Sequence, residues 1–224
     1  MEAPSATLHP AAGSGLGAVV AIKPLGLAKS RLATLPGPLR QDLVWAMLLD
    51  TVRVLSGAAR TVIVTAEPGL HTRLVDHGLS VDLVAETEPG GLNQALRAGE
   101  DFLRGQGIRR LFACVADLPA LRPESLRAVI DAAGGQPRSF LADADQVGTT
   151  MLFADGVPLD PRFGPGSAAA HRASGAVALT DAVIGRPVPD ARLDVDTEDD
   201  LGEIAGLGLG PASRTAVSAW SRTA

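Results

Sequence analysis

Three aspartates in this sequence occupy positions where carboxylates commonly bind a metal ion. Asp117 ends an almost wholly apolar segment, and Pro119 stops that segment two residues later. Asp194 and Asp196 are two residues apart, so on an extended chain their side chains point the same way. Mg²⁺ prefers such oxygen ligands, and the three carboxylates together predict a site for it. The alternative is that Asp117 caps a helix and that Asp196 only precedes a helix beginning at Thr197.

Two lysines and an arginine make one short segment basic. Lys23 and Lys29 are the only lysines among 20 basic residues, and Arg31 lies beside them. This segment follows the first predicted strand, where open α/β sheets bind ligands, and a lysine ammonium suits a phosphate group. Lys29-Ser30 imitates the end of a phosphate-binding loop, but Ala28 stands at its second glycine position, so we exclude that motif. Two surface lysines that lie close by chance are the alternative.

Two further segments combine glycines with hydroxyl groups, as the binding site of a small anion would. They are Gly148-Thr149-Thr150 and Gly164-Pro165-Gly166-Ser167. Each is an ordinary turn when taken alone.

The remaining reactive residues indicate no catalytic group. The four histidines show no metal-ligand spacing, and we expect surface or packing roles for them. Cys114 lies within a predicted strand, where a packed, inert thiol is expected. The glycines at positions 13, 15 and 17 precede the first strand, so they do not form a dinucleotide fingerprint.

The composition limits the class of protein. A chain of 224 residues with 46% hydrophobic residues and a formal net charge of −5 suits a compact domain and makes a nucleic-acid binder a poor hypothesis. One cysteine excludes an internal disulfide, which fits a cytoplasmic protein. The longest apolar run is too short to cross a bilayer, so we expect no membrane anchor.

Short apolar runs alternate with helical patterns along the chain, which is typical of an α/β domain with a mostly parallel sheet. Strands are predicted near residues 18–22, 61–64, 81–84, 111–115, 149–153, 176–179 and 192–195. Helices are predicted near residues 39–57, 70–75, 92–103, 123–133, 167–174 and 197–205. We expect a disordered leader over residues 1–16, a single domain over 17–208 and a loose tail over 209–224.

The order of these motifs resembles the guanylyltransferases of coenzyme F-420 biosynthesis, which are related to the molybdenum-cofactor guanylyltransferases. The motifs are Lys23-Pro24, Ala28-Lys29-Ser30-Arg31-Leu32, Gly91-Leu92-Asn93, Ala116-Asp117-Leu118-Pro119, Gly148-Thr149-Thr150, Arg162-Phe163-Gly164 and Asp194-Val195-Asp196. The resemblance covers about residues 18–205. It implies a Rossmann-like nucleotidyltransferase fold, with a mostly parallel central sheet and helices on both faces.

The resemblance also implies roles for the motif residues. The triphosphate of GTP would be held by Lys23, Lys29, Ser30 and Arg31, and Mg²⁺ by Asp117, Asp194 and Asp196. The nucleoside would lie along Gly91, Leu92 and Asn93. The small phospho-acid would bind at Thr149, Thr150, Gly164 and Ser167. Lys23, Lys29, Arg31 and Asp117 would be the catalytic residues, lowering the barrier by positioning and charge stabilisation.

The identity of the phospho-acid is less constrained. The chain is rich in Ala, Gly and Arg, which suggests a GC-rich genome. The resemblance implies that bacterial family members from such genomes use phosphoenolpyruvate, so we expect it rather than 2-phospho-L-lactate or 3-phosphoglycerate. Pro165 lacks a backbone donor near the expected acid site, which leaves the pose of the acid open. The rival hypotheses are a molybdenum-cofactor or sugar nucleotidyltransferase and a catalytically silent nucleotide-binding module. A downstream transferase that accepts the product is a partner by analogy alone.

Overall fold

The structure is a computed structural model that describes residues 15–27, 32, 36–86 and 90–220. The described part contains seven strands and eight α-helices. The strands are β1 Leu16–Ile22, β2 Arg60–Thr65, β3 Asp82–Ala85, β4 Arg110–Cys114, β5 Arg138–Ala142, β6 Thr149–Asp155 and β7 Val177–Ala178. The helices are α1 Gly37–Ala58, α2 Leu70–Asp76, α3 Leu92–Gly105, α4 Pro123–Ala133, α5 Ser167–Ala173, α6 Asp181–Ile184, α7 Glu198–Leu207 and α8 Pro211–Trp220.

The strands form one twisted sheet in the order β3-β2-β1-β4-β6-β5-β7. Strands β3, β2, β1 and β4 are parallel, so their carboxyl ends meet at one edge. Strand β6 runs antiparallel to both of its neighbours, β4 and β5. Its first residues therefore lie at the same edge as the end of β4, which brings Thr149 and Thr150 beside the segment that contains Asp117.

Helices cover both faces of the sheet because successive strand residues are apolar and point to opposite sides. Val20 packs in the cluster that contains α1 and α4, whereas Val19 packs in the cluster that contains α3 and α5. Helix α3 approaches the sheet closely at Gly99, where an added Cβ would collide with a methyl carbon of Val19. These layers confirm the predicted α/β architecture.

A third apolar cluster joins α1, α7 and α8. The buried carboxylate of Asp50, on α1, accepts hydrogen bonds from the backbone N–H groups of Ala212 and Ser213 at 3.1 and 2.8 Å. These bonds satisfy two donors in the first turn of α8, which has no intrahelical acceptors for them. The prediction of a loose tail over residues 209–224 is therefore wrong for residues 211–220, which are helical and packed on α1.

Three further predictions of local structure differ from the fold. Residues 192–195 are not a strand, because they run over the third cluster instead of pairing with the sheet. Strand β5 and helix α6 were not predicted at all. Most of the predicted leader lies outside the described residues, but its last residue, Leu16, begins β1. Among the described residues, no helix combines the length and the apolar character needed to cross a membrane.

Candidate active site

Three carboxylates from two distant parts of the sequence meet at the carboxyl edge of the sheet. Asp117, Asp194 and Asp196 are each half-buried, and one carboxylate oxygen from each lies within 4.8 Å of the other two. Two oxygens on opposite sides of one Mg²⁺ lie about 4.2 Å apart, given bonds of about 2.1 Å. The spacing and the all-oxygen donor set therefore fit a hard divalent cation. The structure brings together the three aspartates that the sequence singled out.

Asp117 is held by the turn that follows β4. The backbone N–H of Leu118 donates to the hydroxyl of Thr51 at 3.0 Å, and this hydroxyl donates to the carbonyl of Met47 at 2.9 Å. Thr51 and Met47 belong to α1 and are buried. Because Leu118 is fully buried and tied to α1, the side chain of Asp117 is presented at the end of the sheet.

Asp194 and Asp196 lie in a segment whose residues are alternately buried and half-buried, although the segment does not pair with the sheet. Leu193 and Val195 are buried in the third cluster, so the two aspartates that alternate with them point to the opposite side, where they meet Asp117. The backbone N–H of Val195 donates to the carbonyl of Asp117 at 3.2 Å, which joins the two acidic segments directly. The predicted strand is absent, but its predicted consequence, two aspartates on one side, holds.

A capping box fixes the backbone that follows the acidic pair. The carboxylate of Asp200 accepts hydrogen bonds from the backbone N–H groups of Asp196 and Thr197 at 2.8 and 2.7 Å. In return, the hydroxyl of Thr197 accepts from the N–H of Asp200 at 3.4 Å. The start of α7 thus determines where Asp196 lies.

A cleft of about 510 Å³ opens beside the carboxylates, between the carboxyl ends of the parallel strands, the middle of α1 and the start of α3. Asp117 and Asp196 form one part of its lining, and the exposed Lys23, directly after β1, forms another. Gly91 and Leu92 line the cleft where α3 begins. Lys29, Ser30 and Arg31 lie outside the described residues, so the position of the rest of the basic segment stays a prediction.

Glu86 is a cleft residue that the sequence analysis missed. It follows β3 directly, is half-buried, and lines the same cleft as Lys23 and Gly91. Its backbone N–H extends the sheet by donating to the carbonyl of Thr65 at 2.9 Å. The signal that could have found it is its place after a strand of the parallel set, the same argument that selected Asp117.

Asn93 has a structural partner that its predicted role did not include. Its side-chain amide donates to the carbonyl of Phe163 at 2.9 Å, and its side-chain oxygen accepts from the N–H of Phe163 at 2.7 Å. Phe163 also lines the cleft. The first turn of α3 is therefore joined to the loop that contains Gly164.

The residues predicted to bind the phospho-acid lie in two segments that pack together. Thr149 begins β6 and Ser167 begins α5, and both are buried. The N–H of Ala168 donates to the carbonyl of Val147 at 3.1 Å, which joins the two segments. Gly164 is exposed and has a φ of 137°, a conformation that side chains with a Cβ rarely adopt.

The hydroxyl groups of the two threonines differ in their partners. Thr150 donates to the carbonyl of Ala191 at 2.8 Å, so its hydroxyl hydrogen supports the segment that leads to Asp194. Thr149 instead shares a hydrogen bond of 2.9 Å with Nδ1 of His171. The sequence predicts a surface or packing role for His171, and the ring is fully buried and packed against Phe140 and Phe163.

Burial dominates the titration of two groups near the site. Burial, together with the positive charges of Arg138 and Arg162, lowers the pKa of His171 to about 4, against the opposing effect of Asp160. Burial and the nearby Asp117 carboxylate raise the pKa of the Cys114 thiol. Cys114 is therefore a neutral thiol in the wall of the cleft, in agreement with the inert role expected from its place in a strand.

Known proteins similar to this chain support a single assignment. A family model described as "Guanylyl transferase CofC like" matches residues 16–217. A phosphoenolpyruvate guanylyltransferase from Mycobacterium sp. (strain KMS) is 43% identical over 210 residues, 92% of this chain and 94% of the relative. Another from Mycolicibacterium smegmatis is 39% identical over 219 residues, 96% of each chain.

A solved structure supports the fold independently. A nucleotidyl transferase from Methanothermobacter superposes with a TM-score of 0.58 over 86% of this chain and 96% of its own, at 20% identity. At that identity the likeness concerns the fold alone. Together with the family model and the relatives, it confirms the resemblance inferred from the sequence motifs. The chain belongs to the CofC-like guanylyl transferase family.

Proposed function

We propose that this protein transfers GMP from GTP to the phosphate of phosphoenolpyruvate, giving enolpyruvyl-diphospho-guanosine and pyrophosphate for coenzyme F-420 biosynthesis. The observation that carries the proposal is the meeting of Asp117, Asp194 and Asp196 at a cleft that also contains Lys23. The choice of GTP and phosphoenolpyruvate is supported by the names of relatives that match nearly the whole chain. We place the reaction in the cytoplasm, where a single cysteine such as Cys114 stays reduced.

The chemistry needs no covalent enzyme intermediate. A phosphate oxygen of phosphoenolpyruvate attacks the α-phosphorus of GTP, a new P–O bond forms, and the bond from the α-phosphorus to the bridging oxygen breaks to release pyrophosphate. A phosphate monoester loses its second proton with a pKa near 6, so the nucleophile is already ionised at neutral pH. The protein therefore has to hold two anions in line and stabilise the charge that accumulates between them.

The nucleotide is assigned to the side of the cleft formed by the basic segment and α3. Lys23, with Lys29, Ser30 and Arg31 after it, would neutralise the triphosphate, and the backbone at Gly91 and Leu92 would lie along the nucleoside. Glu86 would meet the base, because guanine presents two neighbouring N–H donors that match the two oxygens of a carboxylate. Adenine presents a ring acceptor at the corresponding position, which a carboxylate repels.

The metal is assigned to the aspartate cluster. Asp117, Asp194 and Asp196 would hold Mg²⁺, and a bound Mg²⁺ would supply positive charge to phosphate oxygens at the reacting centre. The cluster fits this ion because all three side chains offer hard oxygen ligands close to the required spacing.

The phospho-acid is assigned to the side formed by β6 and the loop before α5. Thr149 and Ser167 would donate hydroxyl hydrogen bonds, and the exposed backbone at Gly164 would approach the acid closely. Thr150, whose hydroxyl donates to the carbonyl of Ala191, would contribute by holding the neighbouring segment in place.

The deciding experiment measures pyrophosphate release by the purified protein with Mg²⁺. Each of the four nucleoside triphosphates is combined separately with phosphoenolpyruvate, 2-phospho-L-lactate, 3-phosphoglycerate and a sugar phosphate. We expect release with GTP and phosphoenolpyruvate, and a product with the mass of enolpyruvyl-diphospho-guanosine. The proposal would be refuted by pyrophosphate release with the sugar phosphate alone. It would also be refuted if none of the four acceptors supported release.

A matched pair of variants tests the role of the acidic cluster. Asp117→Asn is expected to lower kcat at least 100-fold while the circular dichroism spectrum stays unchanged, because the side chain keeps its size and loses its charge. Asp101→Asn, which changes an exposed aspartate on α3, is the control and should retain the parental rate. A parental rate in Asp117→Asn would remove this residue from the catalytic site.

A further inference from the structure

His171 connects two segments that both border the assigned phospho-acid site. Its ring is fully buried, with Nδ1 2.9 Å from the hydroxyl oxygen of Thr149 and Nε2 2.9 Å from the backbone nitrogen of Arg162. Thr149 begins β6, and Arg162 lies in the loop that leads to Gly164. A side chain in contact with both segments can set their relative position.

The partners of the ring determine which nitrogen carries the proton. A backbone N–H can only donate, so Nε2 of His171 must accept from Arg162 and carries no hydrogen. The neutral ring then has its hydrogen on Nδ1, which donates to the hydroxyl oxygen of Thr149. A doubly protonated ring would place an N–H against the N–H of Arg162, and the lowered pKa of His171 keeps the ring neutral at physiological pH.

This tautomer settles the direction of the Thr149 hydroxyl. Because the oxygen already accepts the Nδ1 hydrogen, the hydroxyl hydrogen of Thr149 must point away from His171. An O–H that points away from His171, beside the carboxyl end of β4, is available to donate to an anion. The N–H of Val115, which donates to the carbonyl of Thr150 at 3.0 Å, keeps this part of β6 next to the segment that contains Asp117.

The other side of His171 fixes the loop. The ring of Phe163 meets the His171 ring edge-on, with 5.1 Å between centroids, and the Asn93 side chain binds the backbone of Phe163. The hydrogen bond from the N–H of Arg162 to Nε2 adds a second fixed point one residue earlier. The backbone that enters Gly164 is therefore held from two directions.

We propose that His171 is a positioning residue for the phospho-acid: it orients the Thr149 hydroxyl as a donor to the acid and fixes the backbone that leads to Gly164. The acid is the substrate named in the proposed function, so this inference rests on that function. His171 does not touch the reacting atoms, and its effect is expected in the binding of the acid more than in the binding of GTP.

Three substitutions separate the two hydrogen bonds of the ring. His171→Phe keeps a ring and removes both bonds. His171→Gln places an oxygen near the position of Nε2, where it can accept from Arg162, but loses the donor to Thr149. His171→Asn places an amide nitrogen near the position of Nδ1, where it can donate to Thr149. His71→Phe, on the exposed side of α2, is the control for the loss of a histidine.

The expected result is a difference between the two substrates. The KM for phosphoenolpyruvate should rise at least 10-fold in His171→Phe and His171→Gln, whereas the KM for GTP should stay within about twofold. His171→Asn should recover most of the affinity for the acid. Thr149→Val should raise the KM for phosphoenolpyruvate as well. Adding His171→Gln to Thr149→Val should have little further effect, because both changes act on the same hydrogen bond from the Thr149 hydroxyl to the acid.

Two results would overturn the role of His171. One is an unchanged KM for the acid in His171→Phe while Thr149→Val raises it. The other is a nitrogen NMR spectrum of the parental protein in which Nε2, not Nδ1, carries the hydrogen. Absence of pyrophosphate release by the parental protein with every phospho-acid would instead refute the proposed function itself, so the two failures are distinguishable.

Discussion

The side-chain amide of Asn93 pairs with the backbone of Phe163 through two hydrogen bonds of 2.9 and 2.7 Å, across 70 residues of sequence. An amide side chain has one donor and one acceptor on the same side, so it matches one residue of extended backbone as a neighbouring strand would. Asn93 stands in the first turn of α3, beside the assigned nucleoside position, and Phe163 precedes the assigned acid position. The side chain of Asn93 therefore connects the assigned nucleoside position to the assigned acid position.

We predict that Asn93→Ala weakens the connection between α3 and the loop that contains Phe163, because both hydrogen bonds are lost. The N–H and C=O of Phe163 would lose their partners in a partly buried position, which costs about 1–3 kcal/mol of unfolding free energy. The KM values for both substrates should rise together, unlike the selective effect expected for His171 variants. Urea unfolding and steady-state kinetics measure the two effects. Gln106→Ala, an exposed amide just after the same helix, is the control and should change neither quantity.

The sequence predicts all four parallel strands closely, and β-branched residues mark two of them. Strands β1 and β2 were found to within two residues at each end because their buried runs contain valine, isoleucine and threonine. Strand β5 has the sequence RSFLA, which begins with two polar residues and leaves an apolar run of only three, and it was missed. Helix α8 was missed because its first turn is completed by Asp50, 162 residues away in sequence, and no local pattern contains that bond.

In the site, too, local sequence patterns were predictable and contacts between distant residues were not. Asp117 is predicted because it ends an apolar strand, and Asp194 and Asp196 because residues two apart on an extended chain point the same way. Residues 192–195 were predicted as a strand because apolar and acidic residues alternate there. The alternation is real, but it buries Leu193 and Val195 against α7 and α8 instead of pairing with the sheet. Asn93 and His171 make contacts between distant segments, which spacing in the sequence does not reveal.

Asp200 is predicted to control the metal site without binding the metal. Asp200→Ala removes the acceptor of the Asp196 and Thr197 N–H groups, and loss of such a cap costs about 1 kcal/mol of unfolding free energy. The backbone at Asp196 should then be less well fixed, so a higher Mg²⁺ concentration should be needed for half-maximal pyrophosphate release.

Asp199→Ala is the matched control for that change. Asp199 lies in the same first turn of α7, carries the same charge and is exposed. Both variants lose a negative charge near the helix N-terminus, but only Asp200→Ala loses the cap. Equal shifts in the Mg²⁺ requirement would show that charge alone, and not the position of Asp196, governs the site.

Glu86→Gln is predicted to weaken the preference for guanine. The amide keeps the size of the side chain but replaces one acceptor oxygen with a donor, so it matches the two donors of guanine less well. The ratio of kcat/KM for GTP to that for ATP should fall at least 10-fold, mainly through a higher KM for GTP. Glu203→Gln, an exposed glutamate on α7, is the control. An unchanged ratio would assign base selection to other residues.

Protonation of His171 is predicted to destabilise the protein in mild acid. The pKa is about 4 in the folded protein and 6.5 in the unfolded chain, so between these values the unfolded state binds more protons and stability falls as the pH decreases. The full effect corresponds to roughly 3 kcal/mol and is reached below pH 4. Arg138 and Arg162 oppose protonation, whereas Asp160 favours it.

Urea unfolding between pH 7.5 and 4.5 should show a steeper loss of unfolding free energy for the parental protein than for His171→Phe, which has no group to protonate at this position. Parallel curves for the two proteins would mean that the buried ring does not govern the acid sensitivity, and that carboxylates elsewhere in the chain account for it.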